Sequence, residues 1–307
     1  MAAKIYDCII IGGGPAGATA SIYASRANMS TLCIAGDKVS GLMYATEVED
    51  FPGFPQTMKG TELVRLFREQ AKKFGAEIAL ESVEKVGFSK RPFEITTDEK
   101  RYLAKTVIIA TGSVPKTLGI PSEKKFFGRG VSVCAVCDGF MFKGKPLAVV
   151  GGGDSAFKEA LYLTNLGCNV TLIHRRDEFR AMPLLQKRVK ENKCIKLMPN
   201  SVVDEILGDT VVTGIKIKNV KSGKTSEIKA NALFVAIGHT PNTGFLKGHV
   251  ELDKKGYITL KKDTETSVPG VFVAGDVQDF KYMQAVTAAA TGCKAALDAY
   301  RFLIENK

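Results

Sequence analysis

Ile5-Tyr6-Asp7-Cys8-Ile9-Ile10-Ile11-Gly12-Gly13-Gly14-Pro15-Ala16-Gly17 is the stretch that decides the fold. Its first half is a continuous apolar run, as expected of a strand buried on both faces of a parallel sheet. The glycines at 12, 14 and 17 keep the spacing Gly-x-Gly-x-x-Gly, and a helix-like stretch follows to Arg26. The first glycine of such a loop makes the tight turn, the second admits a pyrophosphate, and the third lets helix and strand pack closely. The helix N-terminus then faces the anion. Thr31–Ala35 supplies a second strand and completes a βαβ unit. The acid expected about 20 residues past the loop, at the ribose, is Asp37.

The same pattern is written a second time. Pro146–Val150 is apolar, Gly151-Gly152-Gly153-Asp154-Ser155-Ala156 follows, a helix-like stretch runs to Leu166, and Asn169–Ile173 is the next strand. Here the second strand ends in His174-Arg175-Arg176, with Arg180 shortly after. An acid at that point would suit a ribose hydroxyl; arginines match a 2′-phosphate by charge and by bidentate geometry. The second loop, with Gly153, Asp154 and Ser155 at its helix start, is therefore expected to take NADPH rather than NADH. Two dinucleotide sites in one chain imply electron traffic, in which a nicotinamide delivers a hydride that a flavin can accept.

Other segments fit around these units. Leu63, Phe67, Ala71 and Phe74 fall at helical spacing over Thr61–Phe74, and Gly75 is a stop signal. Residues 76–110 alternate like strands, with a turn at Ser89–Pro92, and residues 202–236 read as a strand meander. A helix rich in alanine is expected from Tyr282 to Leu303. Three apolar strands end in small residues: Ala110-Thr111-Gly112, Ala236-Ile237-Gly238 and Ala274-Gly275-Asp276. Ligands of open α/β sheets sit beyond the carboxyl ends of strands, where small residues permit close approach. The chain is expected to be α/β, with two Rossmann-like domains, the second inserted into the first. Residues 1–116 and 243–307 would form one domain and 117–242 the other.

A length of 307 residues agrees with two cores rather than one. Apolar residues at 45% and charged residues at 24% are those of a globular protein. No apolar run reaches the roughly 18 residues of a membrane span, and Ile5–Gly17 passes straight from strand to loop with no secretory pattern, so a cytoplasmic location is expected. A formal net charge of +11 could steer anionic partners, but the lysines are scattered, with short clusters such as Lys124-Lys125 and Lys261-Lys262. An acidic protein partner or phosphate-bearing cofactors fit this better than nucleic acid.

Of the seven cysteines, only Cys134 and Cys137 are close together. Cys8, Cys33 and Cys168 lie in or beside apolar segments and read as small core residues. A Cys-x-x-Cys can be a redox dithiol or half of a zinc site. A zinc site needs a second close pair of ligands, and the three histidines, His174, His239 and His249, are scattered. The redox reading is favoured, with no metal expected. In it, one thiolate attacks a partner disulfide and the other resolves the mixed disulfide. Asp138, an anion beside Cys137, would not lower a thiol pKa and suits proton exchange with the pair instead.

Taken together, Gly12–Gly17, Thr46–Gly53, Ala110–Gly112, Cys134-Ala135-Val136-Cys137-Asp138-Gly139, Gly151–Ala156, the arginine trio and Gly275-Asp276-Val277 make the chain resemble the low-molecular-weight thioredoxin reductases of bacteria, plants and fungi. The resemblance implies a homodimer in which NADPH reduces FAD, the flavin reduces the cysteine pair, and the pair reduces thioredoxin. It assigns Cys137 to the flavin, Cys134 to thioredoxin, and proton transfer to Asp138. A related reductase serving a glutaredoxin-like or peroxiredoxin-linked partner is the alternative. FAD contacts are implied at Gly12, Gly14, Pro15, Ala16, Gly17, Asp37, Lys38, Gly41, Leu42, Asp50, Val83, Ala110, Thr111, Gly112, Gly275, Asp276, Met283, Gln284 and Ala285, and NADPH contacts extend to Ile237 and Gly238. The chain departs from the family pattern at Val39-Ser40-Gly41, where Gly-Gly-Gln is usual. It also departs at Asp50 for Asn, Met283 for Arg, and Lys158 for Glu.

Overall fold

The computed structural model describes residues 4–38 and 40–306. In chain order the elements are β1 (Ile5–Ile11), α1 (Pro15–Arg26), β2 (Thr31–Ile34), α2 (Gly60–Lys73), β3 (Glu77–Ala79), β4 (Val83–Gly87), β5 (Phe93–Thr97), β6 (Arg101–Ile109) and β7 (Ser113–Pro115). There follow α3 (Pro121–Phe126), β8 (Val131–Ser132), α4 (Ala135–Asp138), β9 (Pro146–Val150), α5 (Asp154–Asn165), β10 (Asn169–Ile173), α6 (Pro183–Glu191) and β11 (Ile195–Met198). The last are β12 (Ser201–Gly208), β13 (Val212–Asn219), β14 (Thr225–Lys229), β15 (Leu233–Val235), β16 (His239–Pro241), β17 (Val271–Val273) and α7 (Ala285–Glu305).

The chain forms two compact units: an outer one, Met1–Val114 with His239–Lys307, and an inserted one, Pro115–Gly238. Residues 239–242, expected with the inserted unit, group with the outer one, and Pro115 and Lys116, expected with the outer unit, group with the inserted one. Asn242 ties residues 239–242 to the outer unit: its backbone N–H donates to the Gly112 carbonyl at 3.0 Å and its side-chain amide to the Thr111 carbonyl at 2.9 Å.

In the outer unit, β3-β2-β1-β6-β5-β4 are neighbours in that order, and β17 also pairs with β6. Strand β1 runs parallel to both β2 and β6, and β17 parallel to β6; a separate core lies on each face of these apolar strands. Ile9 and Ile11 enter one core with Val107, Ile109 and Val271. Cys8 and Ile10 enter the other with Ala16, Ala20, Ala24, Ala295 and Ala299. The alanines let α1 and α7 approach closely: a Cβ added to Gly292 of α7 would lie 2.1 Å from the Ala16 carbonyl oxygen. Helix α7 starts at Ala285, later than the alanine pattern predicts, because Met283 has φ +52 and Gln284 caps the helix.

The inserted unit repeats the plan. Its sheet has the order β11-β10-β9-β15-β8, and every pairing is parallel. The meander β12-β13-β14 is antiparallel and packs Val203, Ile206, Ile215 and Ile217 against Val150, Ile173 and Leu233. In both sheets the strand order reverses beside the first strand, at β1/β6 and at β9/β15. Ligands of such sheets bind at that switch point.

Candidate functional site: two dinucleotide cradles and a disulfide

In the outer unit, each glycine of the first loop has its own reason. A Cβ on Gly12, whose φ is +112, would lie 2.2 Å from the Ala110 carbonyl oxygen, and one on Gly17 would lie 1.7 Å from the Gly12 carbonyl oxygen. A Cβ on Gly14 would meet nothing within 4 Å. The first and third glycines are thus required by the fold, whereas the second faces open space at the start of α1. Pro15 opens that helix, which has neither a side-chain cap nor an acid in its first turn. Its N-terminal N–H groups are left for an external acceptor.

The strand ends converge on this loop. Ala110 touches Gly12, and a Cβ on Gly275, whose φ is +77, would come within 2.9 Å of the Ala16 Cβ. Thr111 Oγ1 donates to the Asn242 carbonyl at 2.9 Å, and the Gly275 N–H donates to Thr291 Oγ1 at 2.9 Å. Gly112, with φ +66, leaves open space beside its Cα. Asp276 Oδ1 is buried without a hydrogen-bond partner. Burial and, secondly, the nearby charge of Asp279 push the Asp276 carboxyl up to about 7. A buried carboxyl oxygen lacking a partner at a strand end is suited to a polar ligand.

Asp37 is exposed and accepts a hydrogen bond from Ser82 Oγ at 2.7 Å, which holds its carboxyl below the usual range. Two side chains that no motif marks therefore meet this site. Ser82 orients Asp37, and Arg68 of α2 donates from Nε to the Gly13 carbonyl at 2.9 Å. The remaining expected residues are more spread. Lys38, Gly41 and Asp50 are exposed, and Leu42 is half-buried beside the cluster of Ala18, Val48, Leu63 and Phe67. Val83 opens β4 and packs against the core around β1 and β6. Met283 takes the left-handed region, Gln284 is the N-cap, and Ala285 begins α7. Val39 lies outside the described residues.

The second loop has the same logic. A Cβ on Gly151 would lie 2.4 Å from the Ala236 carbonyl oxygen, and one on Gly153 would meet nothing within 4 Å. The arginine segment is fastened to this loop by two backbone bonds to the Gly152 carbonyl, from Arg180 at 2.7 Å and Ala181 at 3.1 Å. Asp154 Oδ1 accepts from the Met182 N–H at 2.8 Å. Arg175, Arg176 and Arg180 are exposed, as is Ser155, and among the described residues no carboxylate pairs with these arginines. His174 is placed differently. Its ring is buried, donates from Nε2 to the Glu178 carbonyl at 3.1 Å and stacks on Phe179. It fills the space beside Gly152, where a Cβ would lie 2.2 Å from the ring. Burial, chiefly, holds its pKa below the ordinary value, and the ring supports the loop from inside. Ile237 is half-buried, while Gly238, at φ +97, is exposed.

Cys134 and Cys137 are joined, with S–S 2.14 Å and Cα–Cα 5.4 Å. Ser132 Oγ accepts the Cys134 N–H at 3.0 Å, and the Asp138 N–H donates to the Cys134 carbonyl at 3.1 Å. Ala135, between the sulfurs, is 1% exposed and anchors α4 in the core. Gly139 lets α4 meet α5, since a Cβ there would lie 2.8 Å from Leu163 Cδ2. Cys137 is exposed, Cys134 and Asp138 half-buried, and Val136, Phe140 and Met141 present apolar surface around the pair. Cys8, Cys33 and Cys168 are buried, and burial pushes the Cys8 thiol up to about 12 and that of Cys33 up to about 11. Among the described residues, no group of three His, Cys, Asp or Glu side chains is placed to hold a metal ion. No helix there is long and apolar enough to cross a membrane.

Comparison with known proteins agrees with this geometry. The model of the pyridine nucleotide-disulphide oxidoreductase family matches residues 6–292. The chain is 51% identical to thioredoxin reductase 1, mitochondrial, of Arabidopsis thaliana, over 96% of its own length and 83% of that protein's. It is 50% identical to thioredoxin reductase of Rickettsia conorii, over 96% and 97% of the two chains. Among solved structures, thioredoxin reductase from Giardia duodenalis superposes with a TM-score of 0.94 at 46% identity, covering 98% of this chain and 99% of that one.

Proposed function

The chain belongs to the pyridine nucleotide-disulphide oxidoreductases and, among them, to the thioredoxin reductases; on that premise we propose that it carries electrons from NADPH, by way of a bound FAD, to thioredoxin. The observation that carries the reading is the Cys134–Cys137 disulfide, built into the same unit as an arginine-flanked nucleotide cradle.

The residues of the outer unit fit FAD. Gly14 leaves room for a pyrophosphate at the N-terminus of α1, Asp37 is held ready for ribose hydroxyls by Ser82, and Asp276 Oδ1 lacks the partner that a polar group of the cofactor would supply. When bound, FAD supplies a two-electron link between nicotinamide and sulfur. In the inserted unit, Gly153 leaves room for the NADPH pyrophosphate, and Arg175, Arg176 and Arg180 receive its 2′-phosphate.

The chemistry of the pair then runs as thiol–disulfide exchange. The Cys134 thiolate attacks the disulfide of thioredoxin, which forms a mixed disulfide and releases one thioredoxin thiolate. Cys137 attacks Cys134, which restores the internal disulfide and releases the second thiolate. Both released thiolates take up protons, and Asp138 moves the proton of the resolving thiol. Val136, Phe140 and Met141 offer the apolar contact around the exchanging sulfurs.

Two copies would associate through α7, where exposed Val286, Leu297, Tyr300 and Ile304 recur at 11, 3 and 4 residues and so share one helix face. Ile304→Glu should shift the sedimenting species from dimer to monomer; a wild-type monomer would reject this part. Five unpaired cysteines suit a reducing compartment, the cytoplasm.

Anaerobic titration of the yellow protein with NADPH tests the whole scheme. The flavin band should bleach, and oxidised thioredoxin should restore it. Cys134→Ser should still bleach but no longer reduce thioredoxin. Protein that cannot be loaded with FAD, or a Cys134→Ser variant with full turnover, would overturn the reading.

A further inference from the structure

Gly13 stands at one of the three positions of the first loop that its motif leaves free, yet no other residue would fit there. A Cβ on Gly13 would lie 2.4 Å from the Ala35 Cβ and 3.0 Å from Arg68 Nη2. The guanidinium of Arg68 is packed under the loop. Its Nε donates to the Gly13 carbonyl at 2.9 Å and its Nη2 to the Ala35 carbonyl at 3.4 Å. It is half-buried, and among the described residues no carboxylate neutralises it. A cation partly withdrawn from water and met only by carbonyls costs desolvation energy that an ion pair would offset.

The two carbonyls belong to the two halves of one cradle. Gly13 is in the phosphate loop, and Ala35 ends the strand that leads to Asp37. In a trans peptide, a carbonyl and the following N–H point to opposite sides. Fixing the Gly13 carbonyl on Arg68 turns the Gly14 N–H away from α2, and fixing the Ala35 carbonyl does the same for the Gly36 N–H. A single side chain thus sets two N–H groups and leaves its own positive charge behind them.

We propose that Arg68 is a positioning residue for FAD: it braces the pyrophosphate loop and the ribose-binding strand end together and adds an unneutralised charge behind the pyrophosphate. The proposal rests on the reading above that the outer unit holds FAD. Its test is reconstitution of flavin-free protein, with FAD affinity read from fluorescence quenching and the flavin-free thermal midpoint measured alongside. Arg68→Met, which removes charge and donors at similar length, should weaken FAD binding about 10- to 100-fold. Arg68→Lys, which keeps the charge but reaches one carbonyl, should fall between Met and wild type, and it serves alone if the Met variant does not fold. Unchanged FAD affinity, with or without a lowered flavin-free midpoint, would make Arg68 a structural prop at most and overturn the proposal by itself. Wild-type protein that binds no FAD would overturn the reading of the outer unit as well.

Discussion

Asp276 carries a carboxyl pushed up to about 7, first by burial and then by Asp279, against about 3.9 for an unfolded chain. The folded state therefore holds a proton that the unfolded state releases. The stabilisation is fully present below about pH 4 and is lost as pH rises through about 7. In flavin-free protein, Asp276→Asn should match wild type in urea at roughly pH 4. By roughly pH 8 it should exceed wild type by on the order of a few kcal/mol. Parallel stability curves would show that the carboxyl is not in a dry place. At the other cradle, Arg175→Ala with Arg176→Ala should raise the KM for NADPH and shrink the preference over NADH about tenfold or more, since each charged hydrogen bond contributes ~1.5–3 kcal/mol. An unchanged NADPH-to-NADH ratio of kcat/KM would move the 2′-phosphate elsewhere. The arginines stand exposed just past the strand end, where the sequence pattern puts them. His174 was less legible: it sits beside them in sequence, and only the packing shows that its ring faces inward, onto Gly152.

Each glycine loop separates two demands that its motif merges. Gly12→Ala puts a Cβ against the Ala110 carbonyl and strains a positive φ, whereas Gly14→Ala, at φ −77, meets nothing within 4 Å. The first substitution should lower the thermal midpoint of flavin-free protein along with its flavin content. The second should leave that midpoint near wild type and lower flavin content alone. Equal midpoints in the two variants would contradict the assignment. Both βαβ units were readable because their signals are local: an apolar strand, a glycine loop and a helix within one short stretch. Arg68 was not readable. The spacing of Leu63, Phe67 and Ala71 identifies α2 as amphipathic, but nothing in that spacing says which loop, 55 residues away, its arginine reaches. The start of α7 was misplaced for a similar reason, because the left-handed backbone at Met283 carries no composition signal in a side chain that ordinarily favours helix.

At the scale of the molecule, a switch point of the same design occurs once in each unit. Gly12 rests against Ala110 between β1 and β6, and Gly151 against Ala236 between β9 and β15. The duplication gives one chain two glycine loops of the same build. The copies differ in what stands beside the loop: Asp37 with Ser82 in one and the exposed arginine segment in the other. The insertion was legible from the repeat and the strand ends. Its exact seams were not, because the grouping of residues 239–242 depends on the bonds of Asn242 to Thr111 and Gly112.

The thiols sealed in the two cores have a practical use as built-in reporters. Cys8 and Cys33 belong to the outer unit and Cys168 to the inserted one. A maleimide applied to native, NADPH-treated protein should modify the redox pair and Cys194 while sparing these three. Under increasing urea, the order in which Cys168 and the Cys8/Cys33 couple become labelled gives each unit its own melting record by mass spectrometry. Simultaneous labelling would mean that the halves unfold as one.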